Sequence, residues 1–415
     1  MAIDDGQQGE RYGAMFRGAT ILFLHAPKAD PYLTHRTSIA TYAAAYRRQG
    51  IEAVVLDLSV PDFMTRFAEI TSRPDVIAVH CEQSWGLDLA IEQAGKAVDV
   101  FEYFNKPAIA HIRDYPFYPW LRGRTLVPRG NRILCFTERS AVDFAGPFQG
   151  SGVRSQIHFA PHIYLDSEDH AAPVPWRARP IDLLYVGSYA DPMAERAKFA
   201  TARPELAPLL DAIIDQALPD YHTPFWVTAA KVTKAQGLAP DHGSAIYLDL
   251  LVAANQFIRN ERRRRMLLGL ASIPMHLIWS GPKPDISLHP DTVVMSANTL
   301  PDTLALCGQA KAMAMCLNNF ATSLSERLLS AMQRGAAVLC AANAMIDGVF
   351  EDGKDIITLG ADYRDVGERF AALRDPHKGE ALTSAARAKV EAEYSPDARI
   401  AQFLAALTQF YGVNP

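Results

Sequence analysis

Short runs of consecutive apolar residues alternate with longer amphipathic stretches along almost the whole chain. In the first part the runs are TILFLH (residues 20–25), EAVVLDL (52–58), DVIAVH (75–80), AIAHI (108–112), RILCF (132–136) and QIHF (156–159). They are apolar at successive rather than alternate positions, which predicts strands covered on both faces, as in a parallel sheet. Residues 35–49 read as an amphipathic helix, and Gly50 follows it as a stop.

The alternation breaks over residues 166–180, DSEDHAAPVPWRARP, a stretch of Pro, Ala and charge without periodicity. It then restarts with DLLYV (182–186), MHLIWS (275–280), TVVM (292–295), AMCL (314–317), AVLC (337–340) and DIITL (355–359). The pattern predicts an α/β protein of two Rossmann-like domains, residues 1–168 and 181–395, joined by a linker at 169–180. The second domain carries a helical insertion at about 200–270. Residues 396–415 contain a last amphipathic helix, ARIAQFLAALTQF.

Composition adds exclusions. The chain has 415 residues, 49% hydrophobic and 21% charged, with a net charge of −5. Those values fit a globular protein and give no basic excess of the kind that marks nucleic-acid binders. Cys81, Cys135, Cys307, Cys316 and Cys340 form no CxxC pair, so buried thiols are expected rather than zinc ligands. The polar, acidic MAIDDGQQGERYG is unlike a secretory signal, and no run approaches the roughly 20 apolar residues of a membrane span. A soluble, cytoplasmic protein is expected, with peripheral membrane contact left open.

In open parallel sheets ligands bind beyond the carboxyl ends of the strands. That rule selects His25, Lys28, His80, Glu82, Arg113, Asp114, Thr137 and Glu138 in the first domain. In the second it selects Gly187, Ser188, Gly281, Lys283 and residues 318–327, among them Asn319, Ser323, Ser325, Glu326 and Arg327. The turn in LLYVGSY (183–189) suits close approach of backbone N–H groups to an anion, or glycine serves the geometry alone. Ser323 or Ser325 caps a helix beginning near Glu326. Glu326 either complements that helix's dipole or accepts hydrogen bonds from ribose hydroxyls. Lys283 reads as a phosphate partner or a solvated turn lysine. GxGxxG and GxxxxGK[ST] are both absent.

Residues 312–360 resemble the donor-binding region of group 1 glycosyltransferases with the GT-B fold, and most of all their CgeB-type branch. The likeness rests on Glu326, Arg327, Ala331, Met332, Gly335, Ala336, Val338 and Leu339, then Phe350, Asp352 and Gly353. DLLYVGS (182–188) is similar to the opening of that family's second domain. Arg264 and Arg265 before MLLGLASIPMHLIWSG are similar to its succession of arginine, helix, strand and glycine. The resemblance implies two halves facing a central cleft and a glycosyltransferase of the hexosyl, metal-independent type. The donor is a nucleotide sugar, UDP-linked by expectation, with no cofactor. Glu326 takes the ribose, and N–H groups near Ser325 and Ser188 take the pyrophosphate. Arg327 is either a phosphate partner or a structural ion pair. Ser330 and Thr322 stand where many group 1 enzymes carry the two acids of E-x7-E.

An inverting transfer also needs a base for the acceptor hydroxyl. Asp114, in HIRDYPFYPW after a predicted strand, is the leading candidate, and capping a turn before Pro116 is its alternative role. His25, His80 and Glu82 are further acceptor-side candidates. Tyr115, Phe117, Tyr118 and Trp120 either stack on a sugar or pack the core. The run at residues 262–265 reads as a solvated helix face or a contact for an anionic acceptor. Protein, lipid and polysaccharide acceptors stay open. A non-catalytic nucleotide-sugar-binding or scaffold protein, or a sugar-nucleotide epimerase or hydrolase, is the alternative reading.

Overall fold

Six of the apolar runs become β1 (Thr20–His25), β2 (Glu52–Asp57), β3 (Val76–Glu82), β6 (Ala108–Ile112), β7 (Arg132–Phe136) and β8 (Ser155–Phe159). The interruption between β3 and β6 holds a short antiparallel hairpin, β4 (Ala90–Gln93) and β5 (Lys96–Asp99), which the hydrophobic pattern does not announce. Residues 11–150, 154–166, 174–281, 284–317 and 320–413 are described by this computed structural model. Lys283 and Asn319 lie outside them, as do residues 167–173 of the expected linker region.

The chain divides into two compact units. Unit 1 comprises Met1–His170, Thr299–Pro301 and Ala392–Pro415, and unit 2 comprises Ala171–Asn298 and Asp302–Glu391. Unit 1 is built on a parallel sheet ordered β2-β1-β3-β6-β7-β8. Ile21, Leu22, Phe23 and Leu24 of its β1 are fully buried, as strands covered by helices on both faces require. The helix Thr34–Arg48 is anchored at its start by Asp30, whose carboxylate accepts from the His35 and Arg36 N–H groups at 3.1 and 2.8 Å.

The C-terminal helix, Pro396–Tyr411, belongs to unit 1, and the chain's return to that unit begins at residue 392. Its Phe403 ring lies 5.7 Å from Tyr42, 5.3 Å from His80 and 6.0 Å from His111, between centroids. Tyr411 Oη donates to the Ile77 carbonyl at 2.6 Å.

Unit 2 carries β9 (Ile181–Gly187), β10 (His276–Trp279), β11 (Val293–Ser296), β12 (Ala310–Met315), β13 (Ala337–Ala341) and β14 (Ile357–Leu359). They form one parallel sheet ordered β11-β10-β9-β12-β13-β14. Numbered within the unit, that is 3-2-1-4-5-6, the order of dinucleotide-binding folds, with its switch point between β9 and β12. One expected strand moves: residues 314–317 are replaced by Ala310–Met315, in register with β9 through Ala310↔Ile181 and Ala314↔Tyr185. Cys316 therefore falls beyond the strand. All five cysteines are buried, as expected of inert thiols.

Arg179 ties the base of this sheet together. Its guanidinium donates to the carbonyls of Ala310, Gly335 and Arg334. Gly335 has φ +76°, and a Cβ there would sit 2.7 Å from Arg179 Nη2, so only glycine fits the turn into β13.

Candidate functional site

Between β9 and β10 the chain inserts four helices, the last of them Ala245–Leu270. The run at residues 262–265 lies on that helix, and it is not a solvated face. Arg262 is buried and donates to the carbonyls of Ala217, Leu218 and Asp220 at 2.8, 3.1 and 2.7 Å, closing the end of the helix Ala207–Ala217. Its guanidinium lies over Tyr221, 3.7 Å from the ring centroid. Arg264 and Arg265 both pair with Glu261, at 2.7 and 2.8 Å. Packing and pairing thus engage Arg262, Arg264 and Arg265.

Arg263 goes elsewhere. Its Nη1 donates to the Ser188 carbonyl at 3.0 Å, just past the carboxyl end of β9. Asn260, one turn earlier, accepts from the Ala190 N–H at 3.4 Å. From the other side of the switch point, Arg327 Nη1 donates to the Val186 carbonyl at 3.4 Å. Burial, then the like charges of Arg259 and Arg327, push the Arg263 guanidinium down to about 10. Two guanidiniums are therefore held at one strand end, close enough to repel.

The helix Glu326–Gln333 starts at the same place. Ser325 is its cap, accepting from the Arg327 N–H at 3.2 Å, so the remaining N–H groups of the first turn and their partial positive charge point out of the helix start. Ser323 has a different role. It is buried, its hydroxyl donates to the Leu324 carbonyl, and its own carbonyl accepts from Asn343 Nδ2 at 2.9 Å. Asn343 also binds the Phe320 carbonyl at 2.8 Å and accepts from the Ile346 N–H, so it fixes the loop that delivers the helix.

Much of the motif that carries the family resemblance is structural. Ala331, Met332, Ala336, Val338 and Leu339 are fully buried, and Asp352 pairs with Arg369 and accepts from the Thr358 N–H. Ser330, at one of the acid positions of E-x7-E, is buried too. Glu326 and Arg327 are half-buried at the helix start. Gly187 ends β9, Ser188 follows it, and Gly281 has φ +104° in the turn after β10.

In unit 1 the ends of β3 and β6 carry a buried polar cluster. Glu82 and Arg113 form an ion pair, and Arg113 also donates to Ser38 Oγ. His80 Nε2 and His111 Nδ1 lie 3.8 and 4.0 Å from the Glu82 carboxylate. Burial raises the Glu82 carboxyl, but Arg113, then His111 and His80, outweigh it and hold it well below the usual range. His80 is stacked on Phe23 at 4.7 Å, and burial pulls its imidazole down to about 3 although Glu82 opposes this. Such a histidine stays neutral at physiological pH. His25 sits apart at the end of β1, 3.4 Å from Asp30.

Asp114 follows β6, half-buried, and accepts from Gln83 Nε2 at 2.6 Å. The aromatic cluster divides: Tyr115, Phe117 and Tyr118 are at most 3% exposed and pack the core, whereas Trp120 is 48% exposed and stacked on Tyr118 at 4.5 Å. Tyr118 therefore has no ring face for a sugar, and Trp120 has one. Thr137 and Glu138 are buried, and Glu138 accepts from Ser140 at 2.7 Å.

Asn343 and Gln83 escaped the sequence reading, and Arg263 entered it only as a member of the run at residues 262–265. For Arg263 a signal existed: Arg259 and Arg263 are four apart on one helix and so share a face. A cavity of about 540 Å³ against the C-terminal helix, and another of about 610 Å³ lined by Asp182, Lys311 and Arg374 at the opposite end of unit 2's sheet, include none of these residues.

Residues 279–405 match the family described as Glycosyl transferase-like. Among solved structures, the chain is similar to sucrose-phosphate synthase from Thermosynechococcus elongatus, with 10% identity, TM-score 0.52, 95% of this chain and 99% of that one. It is similar also to an alpha-glucosyltransferase in complex with UDP-glucose and DNA containing an abasic site, with 7% identity, TM-score 0.51, 94% and 99%. Anabaena HepE in complex with UDP and glucose aligns over 94% of this chain and 100% of its own, with 12% identity and TM-score 0.48. No curated protein matches the sequence. The chain has the GT-B glycosyltransferase fold. No helix among the described residues is long and apolar enough to cross a membrane.

Proposed function

We propose that this protein transfers a hexosyl group from a nucleoside diphosphate sugar, UDP-linked in the first instance, to an acceptor hydroxyl or side chain. The observation that carries the reading is the meeting of Arg263, Arg327 and the Ser325-capped helix start at the switch point of unit 2's sheet. In transfer, the acceptor oxygen forms a bond to the anomeric carbon while the bond to the diphosphate oxygen breaks. Negative charge then grows on the departing diphosphate. Guanidiniums and helix N–H groups fixed in advance stabilise that charge without a metal ion.

Glu326 takes the ribose in this reading, and the turn at Gly187 and Ser188 gives the diphosphate close access to backbone. Asp114 is assigned the acceptor's proton in the inverting form of the reaction. Trp120 replaces Tyr118 as the aromatic surface for a sugar. The CgeB-type branch remains part of the proposal, on the residues of the helix that begins at Glu326.

The alternative is a protein that binds the donor and does not transfer it, and it is favoured by Ser330 and Thr322 in place of the two acids of E-x7-E. One experiment separates the two. The purified protein is mixed with UDP-sugars and a panel of acceptors, and both the melting temperature and the release of UDP are followed. A raised melting temperature with acceptor-dependent UDP release supports transfer. Stabilisation without release from any donor supports binding alone, and no stabilisation by any nucleotide removes both.

A further inference from the structure

We propose that Gln83 is a positioning residue for Asp114, aiming its carboxylate and setting its charge. The inference rests on the assignment of Asp114 as the base. Gln83 is the first residue after β3, buried, and held at φ +61°; Ser84 follows at φ +106°. Two successive non-glycine residues in the left-handed region cost free energy, and such strain persists where the surroundings enforce it. Here they do so through three hydrogen bonds. The Gln83 backbone N–H donates to the His111 carbonyl at 3.0 Å, its Oε1 accepts from the Arg113 N–H at 2.9 Å, and its Nε2 donates to Asp114 Oδ2 at 2.6 Å.

One side chain thus joins the loops after β3 and β6 and grips the carboxylate itself. The strained conformation is what turns the amide toward β6. Other charged and titratable groups lie nearby. Arg113 is engaged with Glu82, His111 lies beside Glu82, and Arg124 on the helix Pro119–Thr125 reaches Ser84 Oγ at 3.5 Å and pairs with Asp88. The amide is neutral, so it orients Asp114 without adding a charge beside it. An N–H donor at this distance also favours the ionised carboxylate, the form a base needs.

Gln83→Glu tests this in the full chain. The substitution keeps the shape and the acceptor for the Arg113 N–H, and replaces only the donor facing Asp114 with a second carboxyl. Aspartate labelled with 13C at the carboxyl, with the Asp114 signal identified by its loss in Asp114→Asn, gives the titration directly and needs no substrate. The expected result is an Asp114 midpoint raised by more than about one pH unit, as two carboxyls share a proton. The acid limb of kcat moves with it, while KM for the donor does not change. Gln83→Met, which adds no charge, lowers kcat by about tenfold or more and also leaves KM for the donor unchanged.

An Asp114 that titrates at the same pH in the wild type and Gln83→Glu, with Asp114→Asn inactive, overturns the role of Gln83 alone. Full turnover in Asp114→Asn overturns the base assignment and the role of Gln83 with it.

Discussion

Arg263 Nη1 donates to the Ser188 carbonyl across 3.0 Å, and this bond joins a helix of the insertion in unit 2 to the turn after that unit's first strand. It shows where the insertion reaches, which its sequence did not reveal. The 26-residue helix Ala245–Leu270 brings Arg263, and Asn260 before it, to the carboxyl end of β9. Arg263→Met is expected to weaken UDP binding by at least about tenfold, since a charge-assisted hydrogen bond contributes about 1.5–3 kcal/mol. Calorimetric titration with UDP checks it. Arg262→Met, which breaks the neighbouring helix cap instead, is expected to lower the melting temperature more than it weakens UDP binding.

Ser325→Ala should cost about 1 kcal/mol of stability, because the Arg327 N–H loses its cap. The same change should weaken UDP, since the helix start is less well fixed. Ser323→Ala serves as the contrast: Ser323 is buried, and its hydroxyl bonds to the Leu324 carbonyl. Its loss should affect stability with little change in UDP affinity beyond that. Chemical denaturation and titration on the two variants compare the effects.

The buried histidines of unit 1 predict a pH dependence. His80 titrates near 3 when folded and near 6.5 when unfolded, and burial lowers His111 as well. Between those limits the unfolded chain binds protons that the folded chain does not, so stability falls as pH drops from about 6.5 toward 3. The slope is at most about 1.4 kcal/mol per pH unit for each histidine. Glu82, held low by Arg113, adds loss in the same direction below its ordinary 4.5. His80→Phe, which keeps a ring against Phe23, should flatten the dependence between pH 6.5 and 5. An unchanged slope in urea melts across that range contradicts the assignment.

Phe403 lies late in the sequence, yet its ring packs against Tyr42, His80 and His111 of unit 1. Phe403→Ala should therefore destabilise unit 1 by about 3–5 kcal/mol, the usual cost of deleting a buried phenylalanine. Hydrogen exchange should rise in the helix Thr34–Arg48 and leave strands β9 to β14 unchanged. Equal loss of protection in both units speaks against the division described above.

Local physics explains what could be read without coordinates. Apolar runs such as TILFLH and AVLC announce doubly covered strands, because a buried parallel strand has no polar face to alternate with. Gly335, which entered through the family likeness, fills a tight turn between helix and strand that admits little else. The hairpin β4–β5 was not legible: its strands, AIEQ and KAVD, are short, polar and largely exposed, so burial leaves no mark on their composition.

The sequence by itself determined two successive parallel α/β units and a helix start near Glu326. These depend on periodicity, capping and turn chemistry, which act over a few residues. Only the tertiary structure decided which members of the 262–265 run are packed or paired and which one meets Arg327. It alone turned Tyr118 inward and left Trp120 outside, returned the last helix to unit 1, and set Gln83 against Asp114. Those outcomes depend on contacts between residues as much as 361 positions apart, such as Tyr42 and Phe403. No local pattern of charge or hydrophobicity encodes which of several similar side chains the fold turns toward a strand end.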